Sequence, residues 1–162
     1  MESIFGLPAH PLFVHAPVVL MPLLAIATVA LAIRPRWRLR FGPALAVSAL
    51  GIAVLTILAA ASGEPFVELV SIGTGADKHK SLGETTRLLT VLFFLASAAT
   101  AGFDWRTRGS SKTSGDAGQS SMVGVGLIAL TTLLAIAATI WMIRTGHEGA
   151  RITWTGLLPE NG

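Results

Sequence analysis

The 162-residue chain is too apolar for an ordinary soluble domain, because hydrophobic residues make up 52% of it and charged residues only 13%. Its net charge of +3 would suggest a nucleic-acid partner if the basic residues formed one face. They cluster between apolar runs, which favours a membrane protein with no nucleic-acid partner. The absence of cysteine excludes disulfides, thiolate metal sites, iron–sulfur clusters and c-type haem attachment within the chain.

Four apolar runs follow one another along the chain, and each is long enough to cross a bilayer as an α-helix. We therefore predict an all-α integral membrane protein with a single four-helix domain over residues 1–162. The segment before the first run lacks the basic residues of a signal peptide, so this run is predicted to be a retained helix. The predicted helices cover about 12–33, 41–61, 82–103 and 122–143.

Prolines and glycines mark the places where the helical pattern bends or stops. Pro17 and Pro22 lie in the first half of the first helix. Pro22 predicts a kink, because proline removes a backbone hydrogen bond inside a helix. Pro17 fits a kink and a position in the first turn equally well. Residues 109–121 are rich in glycine and serine, which predicts a flexible loop between the third and fourth helices.

The distribution of basic residues predicts which way the helices cross the membrane. The connections after the first and third helices hold seven of the twelve basic residues, among them the four of Arg34–Arg40, and the opposite side holds five. The positive-inside rule assigns the richer side to the cytoplasm. Both termini are then predicted to be extracytoplasmic, with 109–121 as a cytoplasmic loop.

All four histidines, His10, His15, His79 and His147, fall on the predicted extracytoplasmic side. Neutral imidazole is a common ligand of metals and haem, and an unpartnered polar ring near hydrocarbon is costly. We therefore predict a histidine-lined cofactor site at this end of the bundle. The residues alone leave open that any one of these rings is a solvated surface group or a buried hydrogen-bond partner.

Carboxylates and arginines on the same side extend the candidate site. Glu64, Glu84 and Glu148 are predicted to orient imidazoles or to bind a metal ion themselves, and the alternative is that they are solvated or pair with nearby arginines. Arg87 and Arg144 are candidates for holding haem propionates, and snorkelling to lipid headgroups is the alternative.

The run GLPAHPLFVHAP at residues 6–17 resembles the HP-x-x-VH-x-P signature that opens the bacterial membrane domain DUF2231. Three later segments, Ser62–Glu64, His79–Glu84 and Thr145–Ala150, are similar to later motifs of that family. The resemblance covers nearly the whole chain in order and departs from the pattern at Ala16, where an aromatic residue is common. It implies a four-helix domain of the bacterial inner membrane. Relatives fused to cytochrome-type or Rieske-type modules imply a redox setting.

The leading functional hypothesis is a b-type cytochrome-like electron-transfer protein that binds haem b, with His15 and His147 as the axial ligands. One alternative is a non-haem site in which the histidines and glutamates bind a Zn, Cu or Fe ion. Another is a non-catalytic accessory subunit of a membrane respiratory complex. Besides the lipid bilayer, the expected partners are a redox protein or complex and a second copy of the chain. A hydrolase or transferase is not expected, because the chain has no nucleophile–His–acid set and no phosphate-binding loop.

Overall fold

The computed structural model describes residues 3–4, 7–70, 76–107 and 117–155, with side chains described over 13–63, 77–107 and 122–152 and at 154. A short antiparallel pair joins β1 (Ser3–Ile4) to β2 (Leu7–Pro8). The rest of the described chain is helical, apart from Arg34. The helices are α1 (Ala9–Ile33), α2 (Pro35–Val70), α3 (Ala76–Thr107) and α4 (Ala117–Thr155).

The four predicted helices are confirmed, and each is longer than the apolar run that predicted it. The arginine-rich connection after α1 is helical, so that α2 begins at Pro35. Proline suits the first helical position and arginine is a good helix former. Of the predicted loop 109–121, residues 117–121 belong to α4, and residues 109–116 lie outside the described residues. The helices therefore continue into polar sequence beyond the length that a bilayer requires.

Pro17 and Pro22 both lie inside α1. The interpretation of Pro17 as a first-turn residue is wrong, because α1 begins at Ala9 and two turns of helix precede the proline. Pro17 is also fully buried. It faces the interior of the bundle, where a carbonyl freed by the proline is shielded from lipid by the neighbouring helices.

The helices form a ring in which each packs against the next and α4 packs back against α1. Only Arg34 separates α1 from α2. Arg38 at the start of α2 contacts Asp104 at the end of α3, and His79 at the start of α3 contacts Thr145 near the end of α4. Neighbouring helices are therefore antiparallel. The starts of α1 and α3 and the ends of α2 and α4 therefore lie together, at what we call the His79 end. The opposite termini form the Arg38 end. All four histidine positions lie at the His79 end.

The outside of the bundle is as apolar as its inside. Met21, Ile52 and Phe93 are buried in the core, whereas large apolar side chains such as Ile26 and Leu133 are 68% and 66% exposed. All four helices are long and apolar enough to cross a membrane. A surface of this kind is stable when lipid is the solvent around it.

Many polar contacts inside the bundle involve one face of α3, which we call the α3 seam. Its members are spaced alternately by four and three residues, which keeps them on one side of the helix. Thr90 Oγ1 lies 2.9 Å from Thr56 Oγ1 of α2, and Thr100 Oγ1 lies 2.9 Å from Thr131 Oγ1 of α4. Among the described side chains, no buried polar atom lacks a hydrogen-bond partner. The buried residues of the α3 seam are Thr86, Thr90, Phe93, Ser97, Thr100 and Asp104.

Candidate functional site

His79 lies in the first turn of α3 and is half-buried against α4. Its Nδ1 lies 3.1 Å from the backbone carbonyl oxygen of Thr145. A carbonyl oxygen can only accept a hydrogen bond, so Nδ1 carries the proton and donates it. In the neutral ring the lone pair then lies on Nε2. Histidines that bind metals are commonly oriented in this way by a backbone carbonyl.

Gly149 allows the ring of His79 to lie directly against α4. A Cβ atom at position 149 would lie 3.0 Å from Cε1 and 3.3 Å from Nδ1 of His79, closer than side chains normally approach. Thr145 and Gly149 are one turn apart and therefore share a face of α4. The imidazole therefore donates a hydrogen bond to a carbonyl in one turn of α4 and lies against a glycine in the next turn.

Glu148 connects the same two helix ends through a buried carboxylate. Its side chain is 5% exposed and lies between two cations. Lys78 Nζ of α3 lies 3.1 Å from Glu148 Oε2, and Arg151 Nη2 donates to Glu148 Oε1 at 2.6 Å. The alternative in which Glu148 pairs with an arginine is therefore present in the structure, with Lys78 as an additional partner from the neighbouring helix.

Thr145 takes part in three of the polar contacts at this end of the bundle. Its carbonyl accepts from His79, and its hydroxyl lies 2.9 Å from the hydroxyl of Thr86 in the α3 seam. The Thr145 hydroxyl also lies within hydrogen-bond distance of the carbonyl of Trp141. The contacts with His79 and Thr86, together with the Lys78–Glu148 ion pair, join α3 to the end of α4. The orientation of His79 is therefore coupled to the packing of the two helices.

His15 and His147 are both exposed. His147 lies two residues from Thr145 and from Gly149, or about 200° around α4, so it faces away from α3. His15 lies two residues before the buried Pro17 and by the same geometry faces away from the interior of the bundle. Neither shares the α3–α4 interface with His79. Their predicted role as an axial pair stays a prediction.

The remaining candidate residues are on the surface where their side chains are described. Glu84, Arg87 and Arg144 are exposed. The guanidinium of Arg144 lies 5.0 Å from the centre of the Trp141 ring, a cation–π contact that suits an interfacial arginine. The side chains of His10 and Glu64 lie outside the described residues.

The described side chains do not bring three or more metal-binding groups together. No set of three His, Cys, Asp or Glu residues among them is placed to hold a metal ion. The non-haem site predicted from the four histidines and three glutamates would need His10, Glu64 or a group from another molecule to be complete. It stays a prediction.

Sequence reasoning did not identify Lys78, Thr145 or Gly149 as site residues. Lys78 and Gly149 each adjoin a histidine or glutamate that it did identify, and Thr145 lies two residues before His147. The signal that could have found two of them is spacing: a threonine and a glycine four residues apart, on either side of His147 and Glu148, form a small polar surface on a helix. Lys78 could be found only by knowing that α3 begins beside the end of α4.

A family described as "Predicted membrane protein (DUF2231)" matches residues 6–158 of the chain. The match therefore includes every histidine and all four membrane-spanning segments. No curated protein and no solved structure matches the chain.

Proposed function

Since the chain belongs to the DUF2231 family of predicted membrane proteins, we propose a function that a membrane bundle can perform: it binds haem b at the His79 end, with His79 as one axial ligand, and transfers electrons. Following the positive-inside rule, this proposal takes the His79 end to be extracytoplasmic. A redox partner would then approach it from outside the membrane.

The observation that carries this proposal is the orientation of His79. An axial imidazole needs an unprotonated ring nitrogen and a fixed ring plane. The hydrogen bond from Nδ1 to the Thr145 carbonyl assigns the lone pair of the neutral ring to Nε2. The contact with Gly149 fixes the plane. His79 is half-buried, whereas His15 and His147 are exposed.

The second axial ligand in this proposal is His10. Its position lies in the first turn of α1, at the same end of the bundle as His79. His15 is five residues further along and lies on the outward side. Four-helix bundles commonly hold a cofactor between facing helices in this way. A bound haem supplies one-electron chemistry between two iron states, and the chain's own residues supply the ligands and their orientation.

The experiment is a visible spectrum of the full chain purified in mild detergent, oxidised and then reduced with dithionite, with elemental analysis of the same sample. Haem gives a Soret band and sharp α and β bands on reduction. The variants His79→Ala and His10→Ala should each lose most of the bound haem. The matched controls His15→Ala and His147→Ala should retain it.

Three results would overturn the proposal. If His15→Ala and His147→Ala lose haem while His79→Ala retains it, the haem ligands are His15 and His147 instead. A colourless protein that also lacks stoichiometric metal, even when expressed with added haem precursor, would favour an accessory subunit without a cofactor. A colourless protein with one bound transition-metal ion would replace haem by a non-haem site.

A further inference from the structure

At the Arg38 end, the turn between α1 and α2 consists of a single residue. The backbone nitrogen of Arg34 donates to the carbonyl of Ala30 at 3.1 Å, and the carbonyl of Arg34 accepts from Trp37 at 2.9 Å and from Arg38 at 3.1 Å. Arg34 thus ends one helix and begins the next. Because the two membrane-spanning segments meet here, this turn lies where hydrocarbon gives way to headgroups.

Four arginines follow one another at every second position of this turn, but one of them is neutralised within the bundle. Arg38 forms two hydrogen bonds with Asp104 of α3, at 2.8 and 3.1 Å. Arg34, Arg36 and Arg40 are exposed, and in the described part of the chain none of the three is paired with an acidic side chain. The surface therefore carries an excess of positive charge.

An open cleft of about 460 Å³ lies in this surface, lined by Ile33, Arg34, Pro35, Arg36 and Trp37. Part of its lining is cationic and part is apolar. The guanidinium of Arg34 lies 4.5 Å from the centre of the Trp37 ring, which holds the cation beside an aromatic wall. Ile33 is 73% exposed on the side of the membrane-spanning segment.

We propose that this cleft binds the headgroup of an anionic phospholipid. The guanidinium groups of Arg34 and Arg36 would bind the phosphate, since arginine donates two parallel hydrogen bonds to phosphate oxygens. Ile33 and the Trp37 ring would contact the start of the acyl chains. A soluble anion satisfies only the charged half of this lining, so the exposed isoleucine and tryptophan favour a lipid.

The test uses the fluorescence of Trp37 in the full chain. Trp105, Trp141 and Trp154 are replaced by Phe, and the protein is placed in nanodiscs of phosphatidylcholine with a small fraction of phosphatidylglycerol. Bromine on the acyl chains of one lipid or the other quenches Trp37 when that lipid is bound beside it. We expect brominated phosphatidylglycerol to quench far more than its mole fraction predicts.

The variant Arg34→Gln/Arg36→Gln removes two charges inside the cleft, and the matched control Arg40→Gln/Arg106→Gln removes two at the same end outside it. Each cleft arginine is expected to contribute about fivefold to the preference for phosphatidylglycerol, from about 1 kcal/mol per basic residue at a membrane surface. The control should keep most of the preference. Equal losses in the two variants would show attraction by surface charge alone and overturn the proposal, as would equal quenching by the two lipids. Circular dichroism checks that both variants are folded.

Discussion

Arg38 of α2 and Asp104 of α3 form a bidentate ion pair between two helices at the end of the bundle opposite His79. Arg38 Nε donates to Oδ2 at 2.8 Å and Nη2 donates to Oδ1 at 3.1 Å, with the two side chains 16% and 6% exposed. A buried pair of this kind contributes little net stability relative to apolar residues, but loss of one partner leaves the other charge uncompensated.

The substitution Asp104→Asn is therefore expected to lower the free energy of unfolding by about 3 kcal/mol, because Arg38 would remain charged with its partner removed. The measurement is unfolding in mixed micelles with increasing sodium dodecyl sulfate. Glu84→Gln, at an exposed position of α3 beyond its first turn, is the control and should change it by less than about 0.5 kcal/mol. The double variant Arg38→Leu/Asp104→Leu should recover most of the stability. If it is no more stable than Asp104→Asn, the uncompensated charge is not the cause.

Two glycines of α4 offer a matched pair of substitutions. Gly149→Ala would place a methyl group 3.0 Å from Cε1 of His79, whose ring is fixed by the Thr145 carbonyl and cannot easily move away. We expect a loss of about 1 kcal/mol in the free energy of unfolding from this overpacking. Gly146→Ala meets no side chain within 4 Å and should stabilise the helix by about 0.5–1 kcal/mol.

The same micelle titration measures both glycine variants. We expect Gly149→Ala to lower the free energy of unfolding and Gly146→Ala to raise it, although the two positions are only three residues apart on one helix. Addition of His79→Ala to Gly149→Ala should reduce the cost, since the clashing ring is then absent. A cost that remains unchanged would mean that the ring of His79 does not rest on Gly149.

The number of helices and their membrane character could be predicted from the sequence, because both depend on the length of apolar runs. The helix ends could not. Residues such as Pro35 and Arg36 are polar or helix-terminating in isolation, yet they are compatible with a first helical turn that extends beyond the lipid. Hydropathy reports where the lipid ends and contains no signal for where a helix ends.

The ranking of the histidines could not be predicted for a related reason. A membrane helix is apolar on every face, so periodicity does not separate the inward face from the outward one. His15 lies among the apolar residues Phe13 and Val14 and is nevertheless exposed, whereas His79 lies between two lysines and is half-buried. The signal that the sequence does contain is the spacing of polar residues along α3, which repeats on one face of the helix.

Thr100 and Thr131 allow the α3 seam to be tested in the middle of the bundle. Each hydroxyl lies near a carbonyl of its own helix, and the two oxygens lie 2.9 Å apart, so at most one proton joins the helices. We expect a coupling free energy of about 0.6 kcal/mol between Thr100→Val and Thr131→Val in a double-mutant cycle, the average for such pairs in membranes. Thr132, half-buried and bonded within α4, serves as the control partner with no coupling to Thr100. Coupling of equal size to both positions would indicate a general packing effect instead of a hydrogen bond.

Glu148 joins Lys78 and Arg151 across the His79 end. Glu148→Gln removes the negative charge and keeps the shape, so the contact between the start of α3 and the end of α4 should weaken while the Arg38 end is unchanged. Hydrogen–deuterium exchange in detergent is the measurement, and faster exchange is expected at the end of α4 and in the first two turns of α3. Glu84→Gln, at an exposed position, is the control.

Because His79 adjoins Lys78 and bonds to Thr145, loosening this contact should also lower haem occupancy if His79 is an axial ligand. Faster exchange with unchanged haem occupancy would show that the Glu148 ion pairs join α3 to α4 but do not help to position His79.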